Sequence, residues 1–413
     1  MADSNVTPSK PTFSKYEIFI ISILSILQFT IILDFMVLNP LGAQLLIELN
    51  IKPAQFGLVV SVYAFSAGAS GLFAAGFADK FDRKKLLLFF YAGFILGTAF
   101  CAMATSYQYL LCARIFTGVF GGVIGSITFA IITDLFKMEV RGRVVGFVQT
   151  AFAASQVLGI PIGLILANKY GWHSPFWMIV AFSIIIYALI FNYLKPIDGH
   201  LKIQSASNPF QHLAKIITTP QYLHAFFTVI LLSTGGYMLM PLSSAFTINN
   251  LRIEMHNLPL IYGITGIFSI IFGPIMGRLS DKVGKYTIFV WASLWSMIII
   301  SIFTQLANTP LWLVITINVL LFIGVSTRMI ASSALMTAVP KPEDRGAFMS
   351  LNSSIQQIGG GFASAAAGLI VVQTPSGFLE HYDILGYVVI TSMLIVMSLM
   401  YFLNKSIQKN NAQ

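Results

Sequence analysis

The chain has 413 residues, of which 56% are hydrophobic and only 9% charged, whereas a soluble domain carries roughly a quarter charged residues. It cannot coat itself for water and reads as a membrane protein. A formal charge of +9 would suit nucleic acid, but the placement of the basic residues, traced below, assigns that charge to membrane orientation and excludes such a partner.

The opening segment, MADSNVTPSKPTFSKYE, is polar, and the apolar run after it lacks a small-residue cleavage signal and is too long for a signal peptide. Residues 1–15 are therefore expected to form a retained cytosolic tail. Twelve apolar stretches follow, each close to the ~20 residues that cross a bilayer as a helix. They lie near 16–40, 54–78, 86–104, 107–135, 142–167, 174–194, 218–247, 258–279, 286–306, 310–337, 346–371 and 384–403. Segments such as YVVITSMLIVMSLMYFL show no alternation, so a membrane barrel is excluded and the expected fold is all-α.

The first span contains Asp34 within LDFMVLNPLG. Between the second and third spans lies AGFADKFDRK, residues 75–84, dense in charge for so apolar a chain. Cys101 and Cys112 flank the next short turn; a disulfide there is conceivable, but two small apolar side chains are the expected reading. The fourth span holds Arg114 in LCARIFTGVFGG and ends at Asp134. Gly121, Gly122 and Gly125 follow no strand and read as packing glycines. The fifth opens on EVRGRVVGF and continues through Gln149 and Gln156 to LGIPIGLIL, where Pro161 should kink the helix between Gly159 and Gly163.

Residues 195–217 form the longest internal polar stretch and divide the spans six and six, giving helical units at 16–194 and 218–404 and a cytosolic tail at 405–413. In the second unit GRLSDKVGKY, at 277–286, repeats the charged loop 202 positions on, and EDRGAFMSL repeats EVRGRVVGF with its Arg-Gly pair 204 positions on. Two echoes in the same order indicate a repeat. Two six-helix bundles of like orientation, related by a pseudo-twofold axis around a central cavity, are the expected architecture.

With the N-terminus inside, 19 of the Lys and Arg residues fall on the cytosolic side and Lys52, Lys169 and Arg252 outside. The positive-inside rule then puts both termini in the cytosol of a multi-pass protein in the inner (plasma) membrane. Charge within the hydrocarbon is costly, which singles out Asp34 and Arg114. Each lies about 10 Å from the outer surface at 1.5 Å per residue, so they are expected to pair. Burial favours the protonated carboxyl and a guanidinium the charged one, so a change of exposure could move a proton; a static ion pair is the rival reading. Gln149, Gln156, Asn352, Gln356 and Gln357 are candidate cavity residues, with helix–helix hydrogen bonding the alternative. Arg328 is either a cavity residue or a side chain snorkelling to the headgroups.

The charged clusters are expected to form a reversible latch. Asp79 would face the eleventh span near Arg345, and Asp281 the fifth near Arg141, while Asp134 takes Arg83 or Arg143. Lys84 and Lys285 complete the clusters, and the alternative is that these charges only fix topology.

The chain resembles the major facilitator superfamily over nearly its whole length. Gly277, Leu279, Asp281, Lys282, Gly284 and Lys285 fit the family's loop motif G-x-L-x-D-[RK]-x-G-[RK]-[RK], with Tyr286 in the last place. In the first copy Asp79, Lys80, Arg83 and Lys84 match, whereas Ala75, Phe77 and Asp82 replace Gly, Leu and Gly. Arg114 and Gly118 are similar to R-x-x-x-G. Gly159, Pro161 and Gly163 with YGWHSPF resemble the fifth-helix run of the bacterial drug and metabolite efflux branch, although Ile160 separates Gly from Pro. Leu33, Asp34, Val37 and Leu41 resemble its first-helix segment. The resemblance implies a proton-coupled antiporter acting on a small organic molecule, with Asp34 and Arg114 in coupling or substrate binding, and a monomer.

No H-E-x-x-H, C-x-x-C, G-x-S-x-G or Walker loop occurs, so an enzyme, a metal site and an ATP-driven pump are not expected, and no cofactor is implied. Secondary transport remains, as proton-coupled efflux first and uptake of a small metabolite second. A receptor-like protein that no longer transports is the third reading.

Overall fold

The computed structural model describes residues 13–202, 209–341 and 344–411. Sixteen α-helices run in chain order. The first half comprises α1 (Lys15–Val37), α2 (Gly42–Glu48), α3 (Pro53–Phe77), α4 (Arg83–Ala102), α5 (Tyr107–Leu135), α6 (Met138–Ala154), α7 (Ile160–Tyr170) and α8 (Ser174–Tyr193). A linker helix, α9 (Pro209–Thr218), leads to α10 (Pro220–Tyr237), α11 (Met240–Asn249), α12 (Leu258–Val283), α13 (Lys285–Phe303), α14 (Leu311–Met336), α15 (Arg345–Ile370) and α16 (Tyr382–Asn411). With α6–α7 and α10–α11 each counted as one interrupted span, and the seven-residue α2 and the linker helix α9 set aside, these make twelve membrane helices in two six-helix bundles.

Eleven spans are long and apolar enough to cross a bilayer by composition alone. The twelfth, α15, is 26 residues long but carries Asn352, Ser353, Ser354, Gln356 and Gln357. It is an interior helix packed along α3, so it need not present an apolar surface to lipid.

Local chemistry sets where the helices begin and break. Ser14 and Glu17 form a reciprocal capping box at the start of α1. The expected span 16–40 stops at Val37, because a turn before Pro40 redirects the chain into α2. Pro161 has no N–H to give, and the five residues before Ile160, Ser155–Gly159, form a π-turn between α6 and α7. The expected span 218–247 is interrupted at Met238–Leu239, with Pro241 in the first turn of α11. A two-residue antiparallel pair, β1 (Val372–Gln373) and β2 (Leu379–Glu380), joins α15 to α16; its residues lay between expected spans.

The two charged loops turn differently. Gly284 sits at φ +110 between α12 and α13, a conformation open to glycine and strained for other residues. In the first copy Asp82 has φ −56 and its carboxylate accepts from the N–H groups of Lys84 and Lys85, capping α4. The same oxygen accepts from Ile197 N at 3.3 Å, which ties the loop to the start of the linker.

The halves meet mainly through α3 with α15 and through α12 with α7 and the π-turn. At the end remote from the linker they are interlocked. Ser244 Oγ donates to the Asn39 carbonyl at 3.1 Å, Gln44 Nε2 reaches Met255 Sδ at 3.2 Å, and a side chain at Gly57 would come within 2.7 Å of the Ser364 carbonyl. At the linker end they part: a Cβ at Gly142, Gly146, Gly273 or Gly346 would meet nothing within 4 Å. Small residues therefore seal one end, while the other opens between α6 and α12.

Candidate functional site

Close helix contacts bring the intramembrane charges together. Gly97 of α4 lies against Thr117 of α5, where an added Cβ would be 2.8 Å from the Thr117 Cα, and Gly118 of α5 lies against the Tyr63 carbonyl of α3 at 2.6 Å by the same measure. With α3, α4 and α5 drawn in this tightly, their side chains converge on the last turn of α1. Asp34 Oδ2 accepts from Arg114 Nη1 at 2.8 Å, and Oδ1 from Thr98 Oγ1 at 3.2 Å. Both members of the ion pair are 0% exposed.

The Arg114 guanidinium also lies 4.2 Å from the Tyr63 ring centroid, a cation–π contact of the kind favoured where water is absent. Its Nε and Nη2 have no hydrogen-bond partner among the described residues. The site is thus neutral while Asp34 is ionised and holds an uncompensated guanidinium once that carboxylate takes a proton. Tyr63 and Thr98 were not singled out from the sequence. Both are uncharged, and only the meeting of α3 and α4 with α1 reveals them.

Between the halves, bordered by the end of α1, lies a cavity of about 50 Å³. Met36, Asn39 and Pro40 form one wall, Gln156 and Ile160 a second, and the other half contributes Leu239, Met240, Ser243, Tyr262, Thr265, Asn318, Leu321 and Phe322. Among the described residues no charged side chain lines it. Asn39 Oδ1 and Thr265 Oγ1 are buried without partners, while Tyr262 and Ser243 share a hydrogen bond of 3.2 Å. Ligand pockets typically enclose about 300–1,000 Å³, so the cavity is contracted here. The sequence signal for Asn39 was its place beside Pro40 at the end of an apolar span.

The other singled-out residues fall as follows. Gln156 lines the cavity, and Gln149 is exposed on α6 at the parted end. Asn352 is half-buried with Oδ1 unpartnered. Gln357 Oε1 accepts from Tyr237 Oη at 3.4 Å, and the Gln356 carbonyl accepts from Ser233 Oγ at 3.2 Å. Arg328 is 3% exposed and donates through Nε to Ser293 Oγ at 3.0 Å, so it does not snorkel to the headgroups. Gly159 lies against Leu33 and Gly163 against Val37, fitting α6–α7 to α1 around Pro161. Cys101 and Cys112 are free thiols.

At the linker end Arg83 Nε pairs with Asp134 Oδ2 at 3.0 Å and Nη1 donates to the Ala78 carbonyl at 2.7 Å. Lys84 Nζ donates to the Phe191 carbonyl at 2.9 Å. Arg141 donates to the carbonyls of Phe136 and Thr133 at the end of α5. These contacts lie within the first half. Asp281 and Arg345 are exposed and Lys285 half-buried; the Asp79 side chain lies outside the described residues. The structure therefore brings Arg83 to Asp134 and does not bring Asp281 to Arg141 in this state.

The family model of the Major Facilitator Superfamily matches residues 24–249 and 225–412. An uncharacterized MFS-type transporter of Bacillus subtilis (strain 168), YceJ, is 27% identical over 262 residues, 63% of this chain and 66% of the relative. Multidrug resistance protein 3 of the same organism is 31% identical over 148 residues, 36% of this chain and 29% of the relative. The chain thus spans just under two thirds of the first of these relatives and under a third of the second. Among solved structures, a bacterial homologue of the human lysosomal transporter Spinster, in an inward-facing and occupied conformation, superposes with a TM-score of 0.72 at 14% identity, covering 95% of this chain and 98% of that one. Two six-helix bundles, a charged loop at the same place in each, and a family match running through both halves lead to one conclusion: the chain belongs to the Major Facilitator Superfamily of membrane transporters.

Proposed function

We propose that this protein is a proton-coupled antiporter that expels a small organic molecule by alternating access. The observation that carries the reading is the Asp34–Arg114 pair, wholly buried at 2.8 Å in α1 and α5 and two residues from Met36, which lines the cavity between the halves. Protonating that carboxylate uncouples it from Arg114, so the pair can link proton occupancy to the packing of α1 on α5. The efflux direction draws on the fifth-helix run, Gly159, Pro161 and Gly163, which the π-turn makes a built-in bend.

In this reading the linker end faces the cytosol of the plasma membrane, with both termini there, and the halves at 16–194 and 218–404 work as a monomer. In the same reading the linker-end opening faces inward. Closing it would bring Asp281 toward Arg141 and Asp79 toward Arg345, Arg141 exchanging its α5 carbonyls for a carboxylate, as a latch of weak, reversible contacts.

Flux of a radiolabelled amphipathic aromatic anion, naphthalenesulfonate, into inverted vesicles is the test. An acid lumen should drive uptake in vesicles containing the protein, and Asp34→Asn should abolish the drive. Uptake driven by the opposite gradient would assign import instead, and wild-type rates in Asp34→Asn would make the pair structural.

A further inference from the structure

The second half carries a buried cation that no carboxylate among the described residues neutralises. Arg328 of α14 is 3% exposed, with Ser293 Oγ at 3.0 Å from its Nε and the Phe289 ring centroid 5.6 Å from its guanidinium carbon. No carboxylate pairs with it among the described residues, and the sequence offers none at that depth. The acids of residues 218–404 are Glu254, Asp281, Glu343, Asp344, Glu380 and Asp383; Glu343 lies outside the described residues, and each of the others lies in a loop, in the short β2 or at a helix end. Arg114 in the first half has Asp34 from α1. In the second half α10 brings Gly235 to the guanidinium, where an added Cβ would be 2.8 Å from Nη1.

An unpaired ion in such a site is costly, and natural proteins retain one where a partner arrives from outside. Arg328 is placed to meet one. Its helix positions run in line with Asn318 and Leu321, which line the cavity, at spacings of three and seven on a single face. It stands about 10 Å, two turns, beyond Leu321 toward the parted end. With Nε committed to Ser293, the Nη1 and Nη2 end of the fork remains, and that edge fits two oxygens of a planar carboxylate. One negative charge balances the site, whereas a dianion would leave it overcompensated.

We propose that Arg328 receives the carboxylate of the transported molecule, making the substrate class an organic monoanion with an apolar body. The assignment deepens the transport reading and rests on it. Its test is the unfolding midpoint of the purified full-length protein in neutral detergent at fixed ionic strength, with benzoate, the neutral isostere benzamide, or chloride added. Benzoate should raise the midpoint by about 2–5 °C in a saturable manner, benzamide should not, and chloride should do so much less. Arg328→Met should remove the benzoate shift. Gly235→Asp, which supplies a carboxylate of its own, should fold and also lose the shift.

A wild-type midpoint indifferent to benzoate, or a shift that survives in Arg328→Met, would overturn the assignment. A chloride response equal to that of benzoate would make the occupant an inorganic anion and overturn the substrate class. Proton-driven flux measured on the same preparations separates the two proposals, since intact flux without an anion response defeats this one alone.

Discussion

Removing either member of the Asp34–Arg114 pair should cost far more than removing both. At the observed 2.8 Å two unit charges attract by about 6 kcal/mol at an effective dielectric of 20. Desolvating each ion costs several kcal/mol, so the intact pair contributes little relative to neutral groups of the same shape. A lone charge left behind is different: Arg114 is 0% exposed, two of its nitrogens already lack partners, and the neutral groups that would remain are the residue-34 backbone carbonyl at 3.4 Å and the Tyr63 face. Asp34→Asn and Arg114→Met should each destabilise the protein by about 3–5 kcal/mol, as is usual on breaking a buried pair. The double variant should lose much less than either single one. Unfolding in mixed SDS micelles, followed by tryptophan fluorescence, gives the double-mutant cycle. Losses that simply add, to within about 0.5 kcal/mol, would show that the two groups do not interact and would refute the reasoning.

Other expectations are local. Asp82→Ala should destabilise by about 1 kcal/mol through loss of the α4 cap, and Gly284→Ala by about 1–3 kcal/mol through strain at φ +110; equal tolerance of both by the same unfolding assay would show that the two loops turn alike. Thr98→Val removes the 3.2 Å hydrogen bond to Asp34 Oδ1 and should cost about 1.5–3 kcal/mol, as for bonds to a charged group; an unchanged midpoint would mean that the bond is not formed. Gly57→Leu cannot fit, because its Cβ would be 2.7 Å from a backbone carbonyl of the other half. It should force the sealed end apart, so that a cysteine at Ser244 reacts at least tenfold faster with an impermeant maleimide, and an unchanged rate would show that α3 does not hold the seal.

The twelve spans were legible because hydropathy over about 20 residues is a strong signal, and α15 was found despite its polar face because its length survived. The breaks were not legible. Met238 and Leu239 are as apolar as their neighbours, and the turn after Val37 shows only in the Asn39–Pro40 pair. Depth along a helix is fixed at 1.5 Å per residue, which let Asp34 and Arg114 be placed at one level from sequence alone. Depth does not give azimuth, so Tyr63, Thr98 and the neutral cavity wall were beyond reach, and Arg328 kept two readings until its contact with Ser293 decided between them. Contacts across the linker end depend on which state is occupied, and a single sequence encodes both.

The account turns on two halves that exchange openings at their ends. Spin labels at Gly146 and Gly273, positions with open space at the linker end, and a second pair at Lys52 and Glu254, outside the sealed end, would follow both openings by pulsed electron paramagnetic resonance in nanodiscs. On changing the pH across the titration of Asp34, the linker-end distance should shorten as the remote-end distance lengthens. Distances that stay fixed, or that change in the same sense at both ends, would contradict alternating access as the working motion of this protein.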